Sequence, residues 1–389
     1  MTMTTTSESS TGLFAAVLEH GDVPAAVTDA AWLHAMLQVE AALAEVEAFS
    51  GVIPPGAADA IASATKPERF DLASLGRRAA ASGNPVVPLV EQLRTMVPEQ
   101  FAASVHYGAT SQDILDTAAM LVTSRALGPL LADLAASAEA AARLARQFRD
   151  TPILGRTLLQ QAVPTTFGLK AAGWLMALDE ARERLTHVRR ERLAVQFGGA
   201  AGTLAPLGEL GPEVVEGLAT LLGLAEPVLP WHTNRVRIAE LAGALGSAAG
   251  VVAKIARDVT LLAQNEVGEV SDGSPGGSSA MPHKRNPVAA VCAVGSAASA
   301  PGLVANLLAA MAHEHERAAG AWHAEWRPLR ELLIATGSAA SWLHACLERL
   351  TVHPDAMRAN LDASGISATG PDAAGALVDR ALHVHGKGP

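Results

Sequence analysis

Between Ser111 and Phe148 apolar residues recur at helical spacing through Leu121, Leu127, Leu131, Leu134 and Leu144, with Gly128-Pro129 reading as a kink rather than an end. A helix that long needs neighbours of comparable length. The chain supplies them over Thr166 to Ala194 and Asn234 to Val270, with further helices from Val288 and from Pro328. An earlier helix carries Trp32, Met36, Val39, Leu43 and Val46 at steps of three and four, capped by Thr28 or Asp29 and stopped by Gly51 and Pro54-Pro55. A polar, Pro-containing stretch through Gly83 to Val90 follows, and no run of alternating residues predicts strands. Aromatic residues are only 4% of the chain, so Ala-rich helix faces can approach closely, and the reading is an all-α bundle. Helices buried on more than one face call for partner subunits.

Twenty-nine basic against 39 acidic side chains give a net charge of −10 with no basic stripe, which argues against nucleic acid as a partner. A hydrophobic content of 49% excludes disorder. Cys292 and Cys346 lie in apolar helical sequence without metal-ligand spacing, as expected of reduced thiols in a cytoplasmic protein. The opening MTMTTTSESSTG has no apolar core of a signal peptide and reads as a loose tail. Val288 to Ala312 is uncharged, but its Ala, Gly and Ser content suits a buried bundle helix better than a membrane span.

Three polar segments interrupt the apolar pattern. In the first, Ser104 to Asp113, the Thr110 and Ser111 hydroxyls and the free amides of a helix start could bind a carboxylate. The same residues also read simply as a cap, with His106 a hydrogen-bonded structural histidine. The second, Gly155 to Gly168, offers Thr157, Gln160 and Gln161 before a Pro-led helix start and is weak alone. The third, GSSAMPHKRNP at Gly277 to Pro287, puts Ser278, Ser279, Met281, Lys284 and Asn286 on a Gly-rich loop. A serine among amides and a lysine can carry a proton, while Lys284 and Asn286 can stabilise an enolate-like intermediate. By composition alone it would be a linker.

That loop resembles the signature of the fumarase/aspartase superfamily, and the other two segments resemble its remaining signatures in order and spacing, from about Leu13 to about Leu361. The resemblance implies an all-α fold of three domains, here 1–110, 111–350 and 351–389, with a long central helical bundle. It also implies a homotetramer whose active sites are shared between subunits, and neither a metal nor an organic cofactor. Carried over, Ser278, Lys284 and Asn286 are the catalytic group. His106, Thr110, Ser111, Thr157, Gln160, Ser279, Met281, His315 and Arg317 line the substrate site.

The departures point to a branch. C–N lyases of this superfamily usually carry histidine where this chain has Leu158, and an isobutyl group cannot move a proton. Adenylosuccinate lyases place phosphate-binding Ser and Arg where Trp322 and Trp326 stand, which counts against a nucleotide. HEHERAAGAWHAEW, GNPVVPLV, PWHTNR and GALVDRAL resemble the 3-carboxy-cis,cis-muconate cycloisomerases. His313 and His315 sit about 200° apart on a helix, and Arg317 breaks an HExxH pattern, so no metal site is read there. A structural role for His313 and a site-lining role for His315 are equally open. Against that branch the C-terminal domain reads as shortened. The resemblance therefore implies a cycloisomerase forming 4-carboxymuconolactone. The alternatives are an anti-β-elimination lyase releasing fumarate from a substituted succinate, with an amine or nitro leaving group, and a catalytically impaired assembly subunit.

Overall fold

The computed structural model describes residues 12–367 and 372–387, so the tail read at the N-terminus lies almost wholly outside the described residues. Two short helices, α1 (Ala15–Leu18) and α2 (Val23–Ala26), lead into α3 (Asp29–Phe49). Thr28 caps α3 by accepting from Ala31 N at 3.2 Å, and Gly51 turns the chain away with φ 73°. The next stretch is more helical than expected, forming α4 (Pro55–Ala64), α5 (Leu72–Ser82) and α6 (Val86–Met96). Pro55 occupies a first-turn position in α4, where its missing N–H costs nothing. Asp71 caps α5 through Ala73 N and Ser74 N, and Asn84 Oδ1 accepts from Val86 N and Val87 N at the start of α6.

The long helix is α7 (Ser111–Gln147), unbroken with Pro129 inside it, and about 55 Å long at the α-helical rise. It pairs with α8 (Phe167–His187), whose Trp174 donates to Asp258 of α10 (Val236–Leu262) at 2.7 Å. Between them α9 (Gly211–Leu222) packs on α3. The helix expected to run on to Ala194 passes into a π turn at Val188–Arg192, and the one expected to reach Val270 ends at Leu262. The span from Val288 is two helices, α11 (Val288–Ala297) and α12 (Ala300–Ala309). The last bundle helix, α13 (Ala321–Glu348), starts before Pro328 and carries it internally, past the first turn, so the ring removes one N–H bond from the ladder and the packed helix absorbs that loss. Outside the bundle, α14 (Pro354–Ser364) packs on the strand after α7, and α15 (Ala374–His385) packs on α8.

Two strand pairs correct the expectation of none. β1 (Pro152–Thr157) and β2 (Gln160–Thr166) form an antiparallel hairpin where the sequence reads as a helix start. Leu158 and Leu159 make its two-residue turn with φ 51° and 61°, the geometry that matches strand twist. No Gly or Asn marks that turn, which is why it escapes sequence reading. β3 (Val270–Asp272) and β4 (Leu350–Val352) pair antiparallel at the end of the bundle. Residues 311–320, read as helix, are irregular, and His315 has φ 46°.

Three helical spans, Ser111–Gln147, Val236–Leu262 and Val288–Ala309, are long and apolar enough to cross a membrane by length and composition. The first is 72% buried inside this single chain, but the third only 33%, leaving much of its apolar surface uncovered. Cys346 is buried and Cys292 half-buried, both as free thiols, and burial pushes the Cys346 thiol up to about 12.

Candidate active site

The site residues read from sequence fall into two groups at opposite ends of the bundle. At one end α10 begins beside Arg235, which grips Asp116 in the second turn of α7. At the other, Glu269 follows α10 and accepts from Arg156, one residue pair from the hairpin turn. The helix between them is about 40 Å long at 1.5 Å per residue, so one chain cannot bring both groups onto one small molecule.

The first group surrounds the start of α7. Asp113 is 1% exposed and accepts from Thr110 N (3.0 Å), Gly198 N (3.1 Å), Gly199 N (2.9 Å) and His232 Nε2 (2.5 Å). That carboxylate thus ties the GGAAGT turn and the PWHTNR segment to the helix start. Arg317 donates to the Gly199 carbonyl from the opposite side, so its guanidinium holds the same turn. Thr110 and Ser111 are left half-buried at the mouth, and His315 is exposed. His106 lies close by, its Nδ1 2.7 Å from Glu40 Oε1 on α3.

Beneath this mouth is a buried ionic layer that sequence reading leaves without a role. Arg235, 2% exposed, bonds both oxygens of Asp116 (2.7 and 3.2 Å) and both of Glu325 (Oε1 at 3.0 Å and Oε2 at 2.5 Å), and it sits 4.8 Å from the Trp231 ring. Trp322 Nε1 donates to Asp116 at 2.9 Å, and Trp326 meets the Trp322 ring edge-on at 4.8 Å. Burial raises the Glu325 pKa; the Arg235 ion pair lowers it without cancelling that rise. Burial, followed by the Arg235 charge, lowers the pKa of His313, 3.3 Å from Glu325. Two carboxylates on one guanidinium lock α7, α10 and α13 together. The legible signal was a charged residue in an apolar stripe: Glu40 and Glu47 share the α3 face of Met36 and Leu43.

The second group lies at the far end. Gly276 and Asn286 exchange two backbone hydrogen bonds of 3.0 Å, zipping the signature loop shut at its base. A Cβ on Gly276 would fall 2.2 Å from Val288 Cγ2, so only glycine fits that crossing. Within the loop Ser278 Oγ accepts from Met281 N (3.1 Å) and Ala280 N (3.4 Å), and Asn286 Nδ2 donates to the Gly277 carbonyl. Ser279, Met281 and Lys284 are exposed on it. Thr157 and Gln160 face each other across the hairpin turn, both exposed, and Leu158 between them is 96% exposed. Glu269, fully buried, accepts from Arg156 and from Asn360 of α14, and Ser271 Oγ is 2.8 Å from His353 Nε2. The hairpin, the loop root and α14 therefore share one anchor.

Comparison with known proteins adds a second line. A family model described as lyase matches residues 21–302. The chain is 48% identical over 358 residues to a 3-carboxy-cis,cis-muconate cycloisomerase of Bradyrhizobium diazoefficiens, covering 90% of this chain and 79% of that one. It is also 48% identical to a nitrosuccinate lyase of Streptomyces davaonensis, over 91% of this chain and 77% of the other. Among solved structures, the 3-carboxy-cis,cis-muconate lactonizing enzyme of Pseudomonas putida superposes with a TM-score of 0.86 at 42% identity, covering 90% of this chain and 80% of that one.

Proposed function

The chain belongs to the lyase family of the fumarase/aspartase superfamily, and on that footing we propose that it is a cycloisomerase turning 3-carboxy-cis,cis-muconate into 4-carboxymuconolactone. The observation that carries this reading is the 48% identity with such a cycloisomerase across 90% of the chain. The site chemistry agrees with it. A carboxylate oxygen of the substrate forms a C–O bond to the conjugated double bond, and the π electrons move into an aci-carboxylate. That intermediate then takes one proton at its α-carbon, so no leaving group needs an acid and Leu158 is no handicap.

In this reading Ser278 delivers the proton. The Met281 and Ala280 amides that meet its Oγ stabilise the alkoxide left behind, as an oxyanion hole does. Lys284 and Asn286 hold the intermediate, with Ser279 and Met281 lining the loop. His106, Thr110, Ser111, Thr157, Gln160, His315 and Arg317 orient the carboxylates. Because the two groups of residues stand about 40 Å apart along α10, we read each site as shared between chains of a homotetramer. The uncovered face of α11 and α12 is the surface such an assembly would bury. Three domains with the stated boundaries, the shortened third among them, and a cytoplasmic setting complete the proposal.

A second reading is favoured by one observation, the equal identity to a nitrosuccinate lyase. Nitrite departs without protonation, so Leu158 suits that elimination as well. Ultraviolet-monitored turnover of 3-carboxy-cis,cis-muconate, with Ser278→Ala as control and fumarate release from nitrosuccinate and other substituted succinates in parallel, separates the two. Muconate turnover lost in the variant supports the cycloisomerase. Fumarate release alone moves the assignment to the lyase, and silence in both rejects both.

A further inference from the structure

Glu40 sits on the apolar face of α3 and is 1% exposed, an unusual place for a carboxylate without a function or a partner. Its partner is His106, with Nδ1 2.7 Å from Oε1, while Glu40 Oε2 is buried without a hydrogen bond among the described residues. His106 takes up that position with φ 61°, a left-handed backbone that a residue with a side chain adopts only when the surroundings hold it there. Its side chain is 13% exposed, and Nε2 has no hydrogen-bond partner among the described residues. One ring nitrogen is therefore committed to the core and the other is left open, four and five residues before Thr110 and Ser111.

We propose that Glu40 is a positioning residue that fixes the His106 ring with Nδ1–H directed at its carboxylate, so that Nε2–H is presented to a carboxylate of the substrate. This rests on the cycloisomerase reading, in which three substrate carboxylates need cationic or N–H partners. The charge state follows from the neighbours. Burial pulls the His106 pKa down, but the charge and hydrogen bond of Glu40 and the charge of Asp113 on α7 outweigh it and the opposing Arg94 on α6, for a net rise. Glu47, two turns along α3, is pushed up to about 9 by burial and by Glu40, so it stays neutral and does not compete for the imidazolium. The pair thus presents an N–H donor from a buried imidazole held by a carboxylate.

The test is Glu40→Gln in the full-length protein, with Glu40→Asp and His106→Gln beside it in case the first variant does not fold. Steady-state turnover of 3-carboxy-cis,cis-muconate from pH 6 to 8.5 is the first readout. Glu40→Gln is expected to raise KM about tenfold, as one lost charge-assisted bond would, with kcat within about threefold and the loss growing with pH; Glu40→Asp recovers part of it. The second readout is carbethoxylation of the ring by diethyl pyrocarbonate, followed at the His106 peptide by mass spectrometry. Its pH midpoint should lie above the ordinary 6.5 in the wild type and fall below the wild-type midpoint in Glu40→Gln. A fall in kcat with KM unchanged, coincident midpoints, or a ring that never reacts overturns the proposal. Failure of the wild type to turn over muconate refutes the cycloisomerase reading instead, and the carbethoxylation midpoints still decide the pair.

Discussion

Arg156 and Glu269 form a two-pronged ion pair, Nη1 to Oε2 and Nη2 to Oε1 at 2.8 Å each, between the hairpin and the segment leading to the signature loop. Glu269 is fully buried, so among the described residues only Arg156 and the Asn360 amide stand in for water at its carboxylate. Arg156→Met strands that carboxylate and is expected to cost about 3–5 kcal/mol. Urea unfolding of the variant measures it. Adding Glu269→Met should recover most of the loss, and no recovery would mean the pair is not what holds the hairpin.

Ser278→Ala removes a hydroxyl from a loop that makes few contacts with the core. Stability should stay within about 0.5 kcal/mol, the usual range for such surface changes. Turnover should fall by about 10²–10⁴, the usual contribution of a positioned proton carrier. Thermal unfolding and steady-state kinetics on one preparation check both, and a variant retaining a tenth of the wild-type rate would remove Ser278 from the role.

The distance between Thr110 and Ser278 along one chain gives a complementation test. Thr110→Val and Ser278→Ala are each expected to be impaired alone. Chains of the two, unfolded and reassembled together, should regain part of the activity, because some sites then receive an intact residue from each. Mixtures no more active than either parent would place the site within one chain.

Glu47 gives a pH signature in stability. Its pKa in the folded protein is about 9, raised by burial and by Glu40, and in the unfolded chain it returns to the ordinary glutamate range. The unfolded state therefore loses this proton first, and folding is progressively disfavoured as pH rises from about 4.5 towards about 9. Glu47→Gln should be more stable than the wild type across that window. The gap should widen by at most about 1.4 kcal/mol per pH unit and vanish near pH 4. Denaturant midpoints at pH 4, 6 and 8 read it directly, and a constant gap would show that Glu47 is not neutral in the fold.

Trp322→Phe keeps the ring in the bundle and removes the donor to Asp116 at 2.9 Å. With Arg235 and Gln112 still bonded to that carboxylate, the expected cost is about 1–2 kcal/mol. Calorimetric unfolding checks it, and a loss beyond about 4 kcal/mol would mean that the indole, rather than the bond, supports the layer.

The long helices, the passage of α7 through Pro129, the cap at Thr28 and the loop carrying Ser278 were all legible in the order of residues, because helical periodicity and glycine-rich breaks are local properties. The hairpin was not, since its turn is made by Leu158 and Leu159, and left-handed leucines are held by context rather than by their own preference. Pro328 misled in the other direction, because its place in a helix depends on where that helix starts. The motif letters put Thr110 and Ser278 forward as partners in one proposed chemistry but said nothing of their separation along α10. Glu40, Asp113, Asp116 and Glu325 look alike as letters. What makes one a cap for a glycine turn, one a clamp on His106 and two a vice on Arg235 is the donors that folding brings to each. Those donors come from segments far away in the chain, and only tertiary packing decides which carboxylate they reach.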